Sequence, residues 1–215
     1  MATYRKMPWP GPRINMQPGG ANILRQAPAF PSVADAPDPF RAETMTNRVH
    51  TACFTGHRGI GQPDADALAH LDHLLAILYA RGFRDFLCGG ALGFDLYAAE
   101  RVLEFRRVHA DVRLIFCIPC EEQSAKWHMQ DRLRYNRLLY LADEIRILSR
   151  FYFDGCMQVR NRYMVDRSSI CIAYMKRLRG GTCSTVRYAV SQDLIVLNLA
   201  VPGAVEEYAQ LPLWG

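Results

Sequence analysis

The sequence predicts an α/β protein with a Rossmann-like, doubly wound and mainly parallel sheet of about six strands, with helices on both faces. Two observations predict this fold. Short apolar segments alternate with helical periodicity between Val49 and Leu199, and continuous apolar runs are typical of parallel strands, which are covered on both faces. In addition, turns containing glycine follow three of these strands, at the ends where parallel sheets bind their ligands.

The elements follow one another in a regular order. Strands are predicted at 49–55, 85–88, 112–118, 144–148, 169–174 and 194–199. The first helix starts at Pro63-Asp64, where Asp64 can cap it, and it stops at Gly82. The next helix carries Leu96, Ala99 and Leu103 on one face. Further helices are predicted at 121–141, 155–167 and 180–190, and a short helix or turn within 201–215.

Residues 1–47 form a separate, proline-rich extension. Eight of the twelve prolines fall within the first 40 residues, and proline at this density blocks regular backbone hydrogen bonding. We expect this extension to be extended or disordered, and residues 48–215 to form one domain. Met45 stands just before the first strand, so a second hypothesis is that translation starts there.

Composition indicates a globular protein. Of the 215 residues, 50% are hydrophobic and 22% are charged, as is usual for a folded domain. No apolar run approaches the roughly 20 residues that a membrane helix needs, and the first residues lack the apolar region of a secretory signal. We therefore expect a cytoplasmic protein that does not partner with membranes.

Charge is unevenly distributed. Between Lys126 and Arg187 there are 13 Lys and Arg residues and 5 Asp and Glu residues, a local charge of +8 in a chain of net charge +5. A basic surface on this half would attract phosphate, either on a small nucleotide or on nucleic acid. A solvated basic face is the alternative interpretation.

Seven cysteines are present, and four of them lie within apolar strands. Cys117 and Cys120 form a C-x-x-C pair at the end of a strand, whereas a thioredoxin-type pair opens a helix and a zinc site needs a second pair. We therefore interpret the cysteines as structural thiols and expect no metal and no required cofactor.

The central glycine turn, Gly89-Gly-Ala-Leu-Gly-Phe-Asp95, joins a strand to a helix. Gly89, Gly90 and Gly93 permit close backbone approach, and free N–H groups at a helix start suit phosphate. The turn lacks both the dinucleotide fingerprint and the Gly-Lys ending of a P-loop. Asp95 either caps the helix or holds a ribose hydroxyl.

Two other segments provide similar groups. Gly56-His57-Arg58 follows the first strand, where Arg58 can bind phosphate and His57 can act as an acid–base group or a simple hydrogen-bond donor. Gly180-Gly181-Thr182 opens a later helix that also carries Thr185. Arg160, Asn161, Gln123 and Trp127 are the remaining candidate ligand-binding residues, with Trp127 alternatively in the core.

These motifs, together with Ile118-Pro119 and Arg160-Asn-Arg-Tyr-Met-Val-Asp166, occur in one order along the chain. In that order they resemble the YpsA-like family of the SLOG superfamily over roughly 49–199, a family of bacterial type. The resemblance implies a Rossmann-like sheet and a pocket for a nucleotide or a nucleotide-derived ligand. Our preferred hypothesis is that such a protein acts as a sensor or regulatory module. Gly89, Gly90, Gly181 and Thr182 would then cradle phosphate.

The superfamily also contains enzymes. Its LOG members are phosphoribohydrolases that cleave the N-glycosidic bond of nucleotides and use a glutamate pair after their glycine turn. In this chain that pair would fall at Val186 and Arg187, although an oxocarbenium-like transition state needs a carboxylate. A nucleotide N-glycosidase is therefore the alternative function, with Asp95 as its catalytic candidate.

A third branch is similar to DprA and binds single-stranded DNA. The local charge of +8 favours this alternative, and Trp127, Tyr135, Tyr163 and Tyr174 could stack bases. Lys176, Arg177 and Arg179 would serve either a strand or one small phosphorylated ligand. The sequence leaves the oligomeric state open, a homo-oligomer included.

Overall fold

The computed structural model describes residues 48–58 and 65–211, which belong to one compact unit. Three sequence predictions lie outside the described residues: the extension at 1–47, the helix start at Pro63-Asp64 and the end of the tail at 212–215.

Six strands form one parallel sheet in the order β4-β3-β2-β1-β5-β6. They are β1 (Thr51–Gly56), β2 (Asp85–Cys88), β3 (Arg113–Ile118), β4 (Glu144–Ile147), β5 (Ile170–Tyr174) and β6 (Ile195–Asn198). In register, Cys53 of β1 lies between Leu87 of β2 and Cys171 of β5. The predicted doubly wound parallel sheet is confirmed.

Helices cover both faces of this sheet. They are α1 (Ala65–Ala80), α2 (Phe94–Arg106), α3 (Met129–Leu141), α4 (Cys156–Asp166), α5 (Gly181–Ser191) and α6 (Ala204–Gln210), preceded by a 3-10 turn at Arg48–His50. The core on one face includes Leu71, Leu96, Leu138 and Tyr208, from α1, α2, α3 and α6. The core on the other face includes Met164 and Ala189, from α4 and α5. Alternate strand residues point to the two cores because strand side chains alternate.

Two element boundaries differ from the prediction by more than one residue. The first strand begins at Thr51, because Arg48–His50 form the 3-10 turn. The helix predicted from residue 121 begins only at Met129, and 121–126 form turns. Leu133 in this helix is 64% exposed, because Tyr135, two positions later, faces the core and residues two apart lie on different sides of a helix.

The strand order places a topological switch between β1 and β5. From β1 the chain continues to β2, β3 and β4 on one side, whereas β5 and β6 extend the sheet on the other. The segments after β1 and β5 therefore separate and leave a crevice at the carboxyl ends of these strands, the usual ligand position in such sheets.

In the part of the chain that the structure describes, no helix combines the length and apolar character needed to cross a bilayer.

Candidate functional site

A cleft of about 770 Å³ opens at the switch between β1 and β5. This volume lies in the range of small-molecule sites. It brings together Gly56, His57, Arg58, Asp95, Arg160, Asn161, Gly180, Gly181, Thr182 and Thr185 of the residues predicted from sequence. Residues from four separate segments of the chain therefore meet in one place.

The N-terminus of α5 points into the cleft. Its N-cap, Gly180, has no side chain to satisfy the first amides, and its first turn carries no acidic residue. Ser184 donates the first intrahelical hydrogen bond, to the Gly180 carbonyl at 3.1 Å. The preceding amides, including those of Gly181 and Thr182, have no acceptor within the helix. This end of α5 is consequently a partly positive donor surface that suits an anion.

The N-terminus of α4 adds a second such end. Its N-cap, Gly155, has a left-handed backbone conformation (φ 92°) and no side-chain cap, and its first turn has no acidic residue. Gly155, Met157 and Gln158 all line the cleft. Two uncapped helix starts therefore face the same cleft, and neither is neutralised by its own side chains.

A chain of hydrogen bonds links α4 to α5. Arg160 Nε donates to Asn161 Oδ1 at 2.8 Å, and Asn161 Nδ2 donates to Thr185 Oγ1 at 2.7 Å. Thr185 Oγ1 in turn donates to the Gly181 carbonyl at 2.9 Å. The four residues, all predicted from sequence, hold the Arg160 guanidinium in a fixed relation to the start of α5.

Arg160 has an unsatisfied donor. Its side chain is only 3% exposed, it lines the cleft, and among residues 48–58 and 65–211 its Nη1 has no hydrogen-bond partner. The nearest carboxylate oxygen, Asp95 Oδ2, is 4.0 Å away, beyond hydrogen-bond distance. A buried guanidinium that lacks a full set of acceptors favours an anionic ligand beside it.

Asp95 lies at the second residue of α2 and is buried. Its Oδ2 accepts a hydrogen bond from the Ala91 amide at 3.3 Å, so it stabilises the glycine turn that precedes its helix. Burial raises the pKa of the Asp95 carboxyl above its usual value, and Arg160, the Ala91 amide and Arg58 oppose this rise. Asp95 lines the cleft and is thus a carboxyl that holds its proton more readily than a solvated aspartate.

His57 and Arg58 directly follow β1 and line the cleft. His57 Nε2 accepts a hydrogen bond from the Arg177 amide at 3.1 Å, which requires an unprotonated Nε2. Burial and then the Arg177 charge lower the pKa of His57. Arg58 is exposed and donates from Nη2 to Met157 Sδ at 3.5 Å, which leaves its guanidinium at the cleft rim.

Five of the predicted site residues do not line the cleft: Gly89, Gly90, Gly93, Gln123 and Trp127. Gln123 is buried behind the glycine turn and donates from Nε2 to the Gly90 carbonyl at 2.8 Å and the Gly89 carbonyl at 3.3 Å. The Gly90 amide donates to Cys88 Sγ. Trp127 packs on Tyr135 at 5.1 Å between ring centroids. Gln123 thus supports the turn that precedes Asp95, and Trp127 packs against the core.

The glycines of this turn permit close contact between neighbouring segments. A Cβ at Gly89 would lie 1.7 Å from Arg160 Nη1 and 2.9 Å from Asp95 Oδ2. A Cβ at Gly93, where φ is 85°, would lie 2.4 Å from the His57 carbonyl oxygen. The absence of side chains here lets Arg160 and the β1 turn approach α2.

Several residues that line the cleft were not predicted from sequence: Thr55, Ala91, Tyr152, Gly155, Met157, Gln158, Arg162, Ser184 and Tyr188. Helical spacing places Gln158 and Arg162 on the face of α4 next to Asn161. The three consecutive aromatic residues Phe151-Tyr152-Phe153 in a predicted connection were a usable signal for Tyr152.

The structure also locates the cysteines, two of the tyrosines and the positions of the LOG-type glutamates. All seven cysteines are free and buried. Tyr135 and Tyr174 are 4% and 1% exposed, so the interpretation of these two rings as base-stacking groups is wrong, because their faces are packed in the core. Val186 and Arg187, the positions of the LOG-type glutamates, do not line the cleft.

Fold and site together define a parallel α/β protein with a cleft at its topological switch point, lined by two uncapped helix starts and by Arg58 and Arg160. The family model that matches this chain, YpsA, is described as the YspA SLOG family and covers residues 67–192. The chain belongs to this family. The UPF0398 protein of Halalkalibacterium halodurans is 32% identical over 160 residues, which are 72% of this chain and 82% of that protein.

Two solved structures share the fold. DNA processing protein A (DprA) of Streptococcus pneumoniae matches with a TM-score of 0.50 and 16% identity, over 78% of this chain and 59% of that chain. DprA of Helicobacter pylori, a protein with a single-stranded DNA binding mode, matches with a TM-score of 0.51 and 19% identity, over 80% of this chain and 79% of that chain. This chain thus spans little more than half of the pneumococcal protein.

Proposed function

We propose that the cleft binds a nucleotide or a nucleotide-derived ligand, and that this binding serves a sensor or regulatory role. The observation that carries the proposal is the convergence of two uncapped helix N-termini with Arg58 and the unsatisfied Arg160 in one cleft. These groups are complementary to phosphate. Membership of the YspA SLOG family and the DprA fold are consistent with a nucleotide or nucleic acid as the ligand.

Each part of the ligand has a proposed partner. The amides of Gly181 and Thr182 bind phosphate, because they are free donors at a helix start. Arg58 and Arg160 neutralise its charge, and Asp95 accepts a hydrogen bond from a ribose hydroxyl. Among the described residues that line the cleft there are three arginines, Arg58, Arg160 and Arg162, and one acidic residue, Asp95, so the surface favours an anion.

The proposal is tested by titrating the protein with AMP and with NAD and measuring thermal unfolding and binding heat. A ligand present at 100 times its dissociation constant adds about 2.7 kcal/mol to the free energy of unfolding. In Gly181→Ala the new methyl group enters open space, since no described residue outside its own helix turn has an atom within 4 Å of it. We expect Gly181→Ala to keep its stability and to bind AMP at least about tenfold more weakly, a loss of about 1.4 kcal/mol, because the methyl group blocks approach to the amides.

Val190→Ala is the matched control, because Val190 lies on the last turn of α5, is 60% exposed and is remote from the helix start. It should bind AMP like the wild type. If neither AMP nor NAD binds, or if Gly181→Ala binds AMP like the wild type, the proposed site is wrong.

A nucleotide N-glycosidase is the second candidate. The observation that favours it is the raised pKa of Asp95 in the cleft, since a carboxyl that retains its proton can protonate a leaving base. Incubation with nucleoside monophosphates and NAD, followed by chromatography for free base, tests this function. Base release that disappears in Asp95→Asn would establish catalysis, and a protein that binds nucleotide without releasing base is a binding module.

Single-stranded nucleic acid is a third candidate ligand. Lys176, Arg177 and Arg179 are exposed in the connection between β5 and α5, directly before the cleft glycines, and could follow a phosphate backbone. An affinity for short single-stranded oligonucleotides that rises with length beyond one nucleotide supports this candidate. Equal affinity for AMP and for the oligonucleotides argues for a small ligand.

A further inference from the structure

Three consecutive aromatic residues are exposed beside the cleft. Phe151, Tyr152 and Phe153 are 65%, 59% and 42% exposed, and they lie in the connection between β4 and α4. Adjacent exposed aromatic side chains are unfavourable in water and often mark a binding surface. Of the three, Tyr152 lines the cleft.

Hydrogen bonds hold this connection in place. Ser149 Oγ donates to the Phe151 carbonyl at 2.7 Å, and the Cys156 amide donates to the Phe153 carbonyl at 3.0 Å. Beyond it, Met157 accepts from Arg58, which ties the start of α4 to the segment after β1. The residues before and after Tyr152 are therefore both fixed by hydrogen bonds, which keeps Tyr152 at the rim of the cleft.

The two tyrosines of the cleft differ in their contacts. Tyr188 donates its hydroxyl to Asp166 Oδ1 at 2.8 Å, and the Arg162 guanidinium lies over its ring at 5.1 Å. Within the described ranges, Tyr152 has neither a side-chain hydrogen bond nor a ring contact. The Tyr152 ring is thus the aromatic surface of the cleft that its neighbours do not occupy.

We propose that Tyr152 forms the base subsite of the cleft and stacks on the face of one unpaired nucleobase, either of a free nucleotide or of a single strand. This inference rests on the proposed nucleotide function and specifies how the base is held. The donors of the cleft lie at the helix starts and at Arg160, where a phosphate would bind. A flat aromatic ring at the rim supplies the apolar contact that a base needs.

The test compares AMP with ribose 5-phosphate, which has the phosphate and the sugar but no base, by calorimetry on the full chain. Stacking on one aromatic side chain strengthens binding by roughly 5- to 100-fold. Tyr152→Ala should weaken AMP binding by about this factor and leave ribose 5-phosphate binding unchanged. Tyr152→Phe should retain AMP affinity, because the ring and not the hydroxyl makes the contact.

Phe151→Ala is the matched control, because Phe151 is more exposed than Tyr152 and does not line the cleft. It should not change AMP affinity. The affinity of each variant for a short single-stranded oligodeoxyadenylate is measured as well. A Tyr152→Ala loss confined to AMP identifies a free nucleotide as the source of the base, and a loss confined to the oligonucleotide identifies a strand.

Three results would overturn the base subsite: unchanged affinity of Tyr152→Ala for AMP and for the oligonucleotide, an equal loss for ribose 5-phosphate, or an equal loss in Phe151→Ala. If the wild-type protein binds AMP and ribose 5-phosphate and Tyr152→Ala binds AMP and the oligonucleotide as tightly as the wild type does, the base subsite alone is wrong. If no AMP, ribose 5-phosphate or oligonucleotide binds, the proposed function is wrong and the base subsite with it.

Discussion

His57 illustrates how one hydrogen bond sets a protonation state in the cleft. Its Nε2 accepts from the Arg177 amide, so a proton on Nε2 would remove this bond and place two donors face to face. Burial and the Arg177 charge lower its pKa. The imidazole is therefore a neutral acceptor that fixes the basic connection before Gly180.

The lowered pKa of His57 predicts how stability depends on pH. Because the unfolded chain has a histidine pKa of about 6.5 and the folded state a lower one, the unfolded state takes up the proton first. The contribution of His57 to the free energy of unfolding is complete above about pH 6.5 and is lost as the pH falls through the folded-state pKa. As the pH falls below about 6.5, we expect the free energy of unfolding of the wild type to decrease relative to that of His57→Gln.

Urea unfolding of the two proteins at a series of pH values between about 7.5 and 5 measures this difference. Taking the difference between wild type and variant removes the contributions of all other titrating groups. Two curves that stay parallel over the whole range would show that His57 does not have a lowered pKa.

At the scale of elements, the turn between β2 and α2 is packed closely against side chains of neighbouring segments. Gly89 lies against the guanidinium of Arg160 and the carboxylate of Asp95, and Gln123 holds its carbonyl from behind. We expect Gly89→Ala to lower the free energy of unfolding by about 1–3 kcal/mol, as overpacking of a buried site does, and to weaken ligand binding. Chemical denaturation and AMP titration measure the two effects.

Gly181→Ala provides the matched comparison. Beyond its own helix turn, its methyl group meets no atom of the described part of the chain within 4 Å, and alanine favours a helix more than glycine does. The two variants should therefore differ in stability. Gly89→Ala should have both a lower free energy of unfolding and a weaker affinity for AMP, whereas Gly181→Ala should have only the weaker affinity. A double-mutant cycle with Arg160→Ala checks the cause. If Gly89→Ala costs as much without the Arg160 side chain as with it, the proposed clash is not the reason.

The sequence predicted the inner strands well because they are short apolar runs, such as 85–88, that are covered on both faces. The edge strand β4 differs, since Ile145 and Ile147 are exposed. It also predicted the turns that meet at the cleft, since glycines and cations mark them directly. It did not predict that Gln123 lies behind the turn, because that depends on the position of the segment after β3. Tyr152 was missed for a similar reason, since its place at the rim follows from the packing of α4.

On the scale of the whole molecule, the basic half of the chain and the cleft coincide. The local charge of +8 between Lys126 and Arg187 includes Arg160 and Arg162 in the cleft and Lys176, Arg177 and Arg179 in the connection before it. The positive ends of α4 and α5 point the same way. These positive groups lie in the cleft or directly beside it, which favours association with anions there.

This arrangement predicts a difference in salt dependence between the two kinds of ligand. Each phosphate of a single strand that the protein neutralises contributes about 0.7 to the slope of log affinity against log salt concentration. If a strand follows the exposed cations, the slope should have a magnitude of several times this value, and Arg179→Gln should reduce it by about 0.7. Fluorescence anisotropy of a labelled oligonucleotide at increasing salt measures the slope.

Arg107→Gln is the matched control for this experiment. Arg107 directly follows the C-terminal end of α2, pairs with Glu104 at 3.0 Å and lies at the opposite end of that helix from Asp95. The substitution removes the same charge from the molecule, but it should leave the slope unchanged. An equal reduction in Arg107→Gln would mean that net charge alone attracts the strand. A slope of about 1 or less would mean that the protein neutralises only a single phosphate, as expected for a mononucleotide in the cleft.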